Sequence, residues 1–177
     1  AYQFTKYVPK TIRPRKNVII RLPLLDREYG AAEIADVLRP ITSSTNQAAR
    51  ELTSSWAAAV PGKQVFAWDY CQFRAPFRYP YDGTRKIMTN LDFWHRLGIK
   101  HVFIEQVGVD LSFRPMRDWL FFQKSVHPER DDDTLFGEFL DAYFGPAASP
   151  MRQYYELLAT STEAGDKPYY ETQLGAI

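Results

Sequence analysis

Four short segments of the chain carry apolar, β-branched and aromatic residues in near-continuous runs. Runs of this kind predict parallel strands that are covered on both faces, rather than half-exposed antiparallel strands. Their lengths suit strands better than helices, and turn-forming residues separate them from the segments that follow. The predicted strands are Ala1–Thr5, Val18–Leu22, Val65–Tyr70 and His101–Val107.

The segments between these strands favour helices because they are rich in Ala, Leu, Ile and Glu or place apolar residues on one stripe. Pro40 and the polar cluster after it are expected to divide the second connection into two helices. Gly98 is a suitable residue to end the helix before the last strand. The predicted helices are Ala31–Leu38, Gln47–Val60 and Asn90–Leu97.

Beyond the last strand the pattern predicts helices only. Pro115 can open the first of them, because the first turn of a helix does not need the N–H that proline lacks. The run Asp131–Asp133 supplies caps for a second helix, which Gly145 and Pro146 end. A third helix is predicted over Met151–Thr160.

The order βαβαβαβ followed by helices fits two α/β architectures, a small open parallel sheet or the last half of an eight-stranded barrel. The chain has no glycine-rich phosphate loop, which argues against a nucleotide-binding open sheet. We therefore predict the C-terminal half, about four βα units, of a TIM-like (β/α)8 barrel followed by C-terminal helices. Residues 1–112 would form the half barrel and residues 113–177 the helices that pack on it. We expect the first half of the barrel to precede residue 1.

Composition excludes several classes of function. The formal net charge is +1, which gives no basic surface for nucleic acid. Cys71 is the one cysteine, so an internal disulfide is impossible, and the 3 histidines lack metal-ligand spacing. No apolar run approaches the length of a membrane span, and no cofactor is expected. Aromatic residues make up 15% of the chain, and their flat apolar faces suit both sugar rings and protein cores.

Ligands of parallel α/β folds gather at the carboxyl ends of the strands. The candidate residues at these ends are Trp68, Asp69, Tyr70, Glu105 and Gln106. Asp69 and Glu105 end adjacent strands and could share one cleft. A carboxylate directly after apolar residues is unexpected in a core, because burying it unpaired is costly. Alternatively, each caps a loop or pairs with a nearby arginine; the candidates are Arg21, Arg74 and Arg114.

The segment Cys71–Asp82 follows the predicted strand Val65–Tyr70 and is dense in aromatic residues, arginine and proline. Its position after the strand places it on the expected binding side of the sheet. The aromatic residues could stack on sugars or pack the rim of a barrel.

Two stretches of sequence resemble a known bacterial domain. They are Gly98–Gly108, GIKHVFIEQVG, and Arg114–Leu158, which includes FGEFLDAYFGPAA and MRQYYELL. The start of the chain and the VFAWDY segment, which precede these stretches, also match the expected order of that domain. The domain was first catalogued as one of unknown function (DUF4838) and is associated with glycoside hydrolase family 163. The resemblance extends to about Leu158.

This resemblance implies a barrel enzyme of secreted, periplasmic or cell-surface glycan-degrading systems. The implied activity is that of an endo-β-N-acetylglucosaminidase on complex N-glycans, retaining and assisted by the substrate's acetamido group. If this chain supplies the last four strands, the catalytic residues lie upstream of it. Asp69 and Glu105 would then bind sugar, and Tyr70 or Tyr2 would contact the acetamido group.

Other functions fit the same pattern. A barrel glycosidase of different specificity, such as a uronidase, would be favoured by arginines near the rim, for example Arg74, Arg78 and Arg114. A non-catalytic carbohydrate-binding domain would bind glycan without turnover. The expected partners are therefore a glycan or glycoprotein substrate and the missing N-terminal half of the barrel.

Overall fold

The structure is a computed structural model, and it describes residues 5–24, 39–70, 83–105 and 113–164. The strands are β1 (Ile20–Pro23), β2 (Val65–Tyr70) and β3 (His101–Glu105). The helices are α1 (Gln47–Ala59), α2 (Thr84–Arg96), α3 (Arg114–Val126), α4 (Asp132–Phe144) and α5 (Ala148–Ala164). Short 3₁₀ turns cover Ser44–Asn46, Pro61–Lys63 and Gly145–Ala147.

The three strands form one parallel sheet in the order β1-β2-β3. Leu22 pairs with Ala67, and Ala67 pairs in turn with Val102, so neighbours in space follow one another in the chain. Helices connect parallel strands of this kind because the chain must return to the same end of the sheet. The predicted α/β class is therefore confirmed for the described residues, whereas closure into an eight-stranded barrel stays a prediction.

The two faces of the sheet have different environments. One face, which we call the covered face, packs into the core shared with the helices, and its residues Leu22, Val65 and Ala67 are fully buried. Side chains alternate along a strand, so the intervening residues lie on the opposite, open face. The open face carries Arg21, Phe66, Trp68, Tyr70, His101, Phe103 and Glu105. The apolar runs predicted cover on both faces, but the open face is only half-buried among the described residues: Phe103 is 44% exposed.

Helices α1 and α2 supply much of the covered core. The predicted helix Gln47–Val60 is confirmed, and its Trp56 is buried with the indole Nε1 donating to the carbonyl of Lys6 at 2.5 Å. Helix α2 begins six residues before the predicted start at Asn90, at Thr84. It ends at Arg96, shortly before Gly98 as expected, and the positive φ of 77° at Gly98 suits glycine.

The three C-terminal helices are also confirmed. Asp131 caps α4, because its carboxylate accepts hydrogen bonds from the backbone N and the hydroxyl of Thr134, each at 2.9 Å. Both bonds stabilise the charged carboxylate, and the bond from the backbone N–H has the larger effect. They hold the pKa of Asp131 below its ordinary value. Gly145 ends α4 with a positive φ of 52°, and α5 follows almost at once.

Buried side chains from the sheet and from α1 to α5 belong to one core cluster, which runs from Leu22 to Ala159. The proposed division at residue 112 is untested. Two expected elements lie largely or wholly outside the described residues, namely the strand Ala1–Thr5 and the helix Ala31–Leu38. Of the first, only Thr5 is described, and it is not in a strand. Among the helices that the structure describes, none is long and apolar enough to cross a membrane.

A buried lysine joins three helices. Lys124 of α3 is 5% exposed, and its Nζ lies 3.0 Å from a carboxylate oxygen of Asp92 in α2 and 2.8 Å from one of Asp132 in α4. It also donates to the carbonyl of Arg130 at 2.9 Å. Burial opposes the charged ammonium, but the hydrogen bonds and charges of Asp132 and Asp92 outweigh it, so the pKa of Lys124 is raised.

We expect Lys124→Met to lower the free energy of unfolding by about 1–2 kcal/mol. This is less than the roughly 3–5 kcal/mol of a fully buried pair, because the two carboxylates remain about a third exposed. Since the folded-state pKa of Lys124 is raised, the contribution is complete below the ordinary value of 10.5 and is lost as the pH rises through the folded pKa. Urea unfolding at increasing pH measures both effects.

The exposed Lys100, substituted to Met, is the control for loss of a positive charge. It should change the stability by no more than about 0.5 kcal/mol. A Lys124→Met effect that grows above the ordinary lysine pKa would contradict the assignment.

Candidate functional site

The carboxyl ends of β2 and β3 place four of the sequence-predicted site residues within a few ångströms of one another. Trp68, Asp69 and Tyr70 follow one another on β2, and Tyr70 pairs with Glu105 of β3. Because side chains alternate, Asp69 lies on the covered face, whereas Trp68, Tyr70 and Glu105 lie on the open face. The strand ends therefore carry two separate polar centres, one on each side of the sheet.

Asp69 forms the centre on the covered face. It is 4% exposed, and its Oδ1 lies 2.9 Å from Nζ of Lys86, while its Oδ2 accepts a hydrogen bond of 2.7 Å from the side-chain amide of Asn90. Lys86 also donates to the carbonyl of Tyr70 at 2.5 Å. Both partners come from α2 and are themselves buried. The carboxylate thus has partners for both oxygens, which a buried charge requires.

The expectation that Asp69 and Glu105 share one cleft is wrong. The register pairs Asp69 with Ile104, not with Glu105, so the two carboxylates lie on opposite faces. The alternative that Asp69 pairs with an arginine also fails for the described candidates, because its cation is Lys86. Arg21 lies over aromatic rings on the open face, and Arg114 lies 3.5 Å from Asp118 within α3.

The open-face centre is an aromatic surface with one carboxylate fixed on it. The indole Nε1 of Trp68 donates to Oε2 of Glu105 at 2.9 Å. The Trp68 ring is nearly parallel to that of Tyr70, with centroids 6.1 Å apart, and meets Phe103 edge to face at 5.5 Å. The guanidinium of Arg21 lies 5.1 Å from the ring centroids of both Phe66 and Trp68, which is cation–π distance.

This arrangement offers apolar ring faces, an oriented acceptor and a cation on one surface. Among the strand residues that the structure describes, Glu105 is the one carboxylate on the open face. Glycosidases that rely on protein side chains use two carboxyl groups about 5–10 Å apart. The described strand residues of the open face therefore contain no such pair, and they offer groups suited to holding a ligand. Its described residues include no cluster that could hold a metal ion.

Tyr2, Gln106 and the aromatic segment Cys71–Asp82 lie outside the described residues, so their predicted places at the site remain predictions. Sequence analysis missed Lys86 and Asn90. Their spacing of four residues places them on one side of a helix, but the predicted helix began at Asn90 and therefore left Lys86 out. A lysine next to Ile87 and Met88, both buried, was the available signal.

A second concave region lies among the C-terminal helices. It encloses about 290 Å³, and the described residues that line it are uncharged. Its apolar walls include Phe113, Met116, Phe139, Phe144 and Met151, with Tyr143 and Tyr154 also contributing.

Comparison with known proteins gives one positive result. The family model described as "Domain of unknown function (DUF4838)" matches residues 1–156, which is most of the chain. This chain belongs to the DUF4838 family. The predicted DUF4838 membership is thereby confirmed, and the association with glycoside hydrolase family 163 stays a prediction. No curated protein and no solved structure matches the chain.

In this DUF4838 chain, the two carboxylates should respond differently to substitution. We expect Asp69→Ala to lower the free energy of unfolding by about 3–5 kcal/mol, because it leaves the ammonium of Lys86 buried without its counter-charge. Glu105→Gln keeps an oxygen that accepts from Trp68 and should change stability by less than about 1 kcal/mol. Urea unfolding of the full chain compares them, and equal losses would disprove the assignment of separate roles.

Proposed function

We propose that this chain supplies a glycan-binding surface to a glycoside hydrolase, an endo-β-N-acetylglucosaminidase acting on complex N-glycans. The observation that carries the proposal is the hydrogen bond from Trp68 to Glu105 on an aromatic face at the carboxyl ends of parallel strands. Ligands of parallel α/β folds bind at these ends. Membership in DUF4838 is compatible with this function and does not itself specify an activity.

The chemistry of the open face suits a sugar. One side of a pyranose ring presents C–H groups that pack on aromatic rings, and its edge presents hydroxyls that need hydrogen-bond partners. Trp68, Tyr70 and Phe103 provide the rings. Glu105, held by the indole of Trp68, provides an acceptor whose orientation does not depend on the ligand. An acceptor fixed in advance loses less entropy on binding.

A barrel gives this face a role. In a (β/α)8 barrel the helices surround the sheet, and the inner face of the sheet leads to the active site at the carboxyl ends of the strands. Sequential parallel strands, helices on one face and an aromatic opposite face agree with this arrangement. We therefore propose that further strands of the same protein complete the barrel around the open face.

The proposed mechanism is retaining hydrolysis assisted by the acetamido group of the substrate. An acid must protonate the leaving oxygen, and a second carboxylate must orient the acetamido group that replaces the enzyme nucleophile. We place this pair upstream of the chain. Glu105 then accepts hydrogen bonds from sugar hydroxyls, and Tyr70 lies where it could contact the acetamido group. The same assignment implies a secreted, periplasmic or cell-surface protein.

One observation favours a second candidate function. Arg21 places a guanidinium on the open face beside the rings of Phe66 and Trp68. A guanidinium binds carboxylates well, so a uronidase or another glycosidase of acidic sugars would use it directly. A non-catalytic carbohydrate-binding domain would use the same surface without the upstream acid pair.

The test uses the full-length protein that contains this chain. Glu105→Gln should reduce release of a biantennary complex N-glycan from a glycoprotein by about tenfold to a hundredfold, since a hydrogen bond to a charged group contributes about 1.5–3 kcal/mol. Trp68→Ala should reduce it at least as much, because it removes both the ring and the donor to Glu105. Mass spectrometry of the released glycan measures the rate.

Glu138→Gln is the matched control, because Glu138 is an exposed carboxylate paired with Arg130 in the helical region. It should leave release unchanged. Calorimetry with the same glycan separates the alternatives: binding without release supports the carbohydrate-binding domain, and turnover of a β-glucuronide instead supports the uronidase. Glycan release unaffected by Glu105→Gln would remove Glu105 from the binding surface.

A further inference from the structure

The two polar centres at the end of β2 are adjacent in the chain although they face opposite sides of the sheet. Asp69 lies between Trp68 and Tyr70, and α2 contacts its carboxylate at two points: Lys86 contacts its Oδ1, and Asn90 donates to its Oδ2. A third contact runs from Lys86 to the carbonyl of Tyr70. The network continues, since the Asn90 side-chain oxygen accepts the backbone N–H of Ile41 at 2.7 Å.

These contacts constrain how β2 presents its open-face side chains. Successive side chains of a strand point to opposite faces, so a rotation of the backbone at Asp69 would also turn Trp68 and Tyr70. An apolar residue at this position would allow small rotations, because apolar contacts have little directionality. Hydrogen bonds to both carboxylate oxygens have preferred directions, so they resist such rotations.

We propose that Lys86 and Asn90 are positioning residues, which act through Asp69 to hold Trp68 in the orientation that bonds Glu105. Neither residue reaches the open face. Stability alone does not account for them, because a buried ion pair is often no more stabilising than apolar residues of similar size. The network instead fixes the orientation of β2 relative to α2, and with it the direction of the side chains that β2 places on the open face.

The consequence for glycan binding rests on the proposed function, whereas the orientation of Trp68 can be measured without any ligand. The chain has 4 tryptophans, so an ¹H–¹⁵N spectrum of the indole N–H groups in the full chain contains few signals, each assignable by a Trp→Phe substitution. The Trp68 signal reports the hydrogen bond to Glu105. Lys86→Met should shift this signal and leave those of Trp94 and Trp119 in place.

Lys124→Met is the matched control. Lys124 is as buried as Lys86 and also pairs with carboxylates, but it contacts α2 through Asp92. At about 100° per residue, Asp92 lies roughly 200° around the helix from Asn90. The control should therefore lower the thermal midpoint as Lys86→Met does, without moving the Trp68 signal.

The double variant Asp69→Asn with Lys86→Met covers the case in which Lys86→Met fails to fold. It removes both charges, so no unpaired charge remains buried, and the Trp68 signal should still shift. A Trp68 signal at the wild-type position in the folded variants would overturn the proposal. So would equal movement of all tryptophan signals in both lysine variants, since that indicates general loosening.

Binding of the biantennary complex N-glycan gives a second readout. We expect Lys86→Met to weaken it by on the order of tenfold, since a misplaced hydrogen-bonding group loses much of its contribution and about 1.4 kcal/mol corresponds to tenfold in Kd. Lys124→Met should leave it unchanged. If the wild-type protein does not bind this glycan, the proposed function fails, and the Trp68 signal still decides the positioning role.

Discussion

A carboxylate enclosed by a protein must find partners for its charge and for both of its oxygens, and Asp69 finds them all on one helix. That requirement fixes how α2 lies against β2. Helix α2 begins at Thr84, early enough to bring Lys86 against the end of the strand. This attachment connects the covered side of the sheet to the strand that carries Trp68 and Tyr70 on the open face.

A second buried lysine–carboxylate contact lies further from the sheet, between the helices. Lys124 binds carboxylates from α2 and α4 and so links the C-terminal helices to the helix that supports β2. On the open face, the contacts between described residues include ring contacts and the hydrogen bond from Trp68 to Glu105. The two sides of the sheet are thus stabilised differently: buried ion pairs join the helices on the covered side, whereas aromatic contacts dominate among the described residues of the open face.

Much of this arrangement could be predicted from local pattern. Strand β2 and the three C-terminal helices were predicted because apolar period, caps and glycines act over a few residues. The partner of Asp69 could not be predicted in this way. It is Lys86, 17 positions later in the chain, and its inward orientation depends on how α2 packs against the sheet. A lysine is normally exposed, and only the carboxylate across the interface makes its burial favourable. The faces of Asp69 and Glu105 likewise required the strand register.

The buried pair between β2 and α2 also bears on how the sequence can diverge. Replacing Asp69 or Lys86 alone would leave a charge enclosed without its counterpart, while replacing both together would not. The two positions are therefore coupled under selection, and Asn90 joins them through the second carboxylate oxygen. Across relatives these three sites should therefore be conserved together or substituted together.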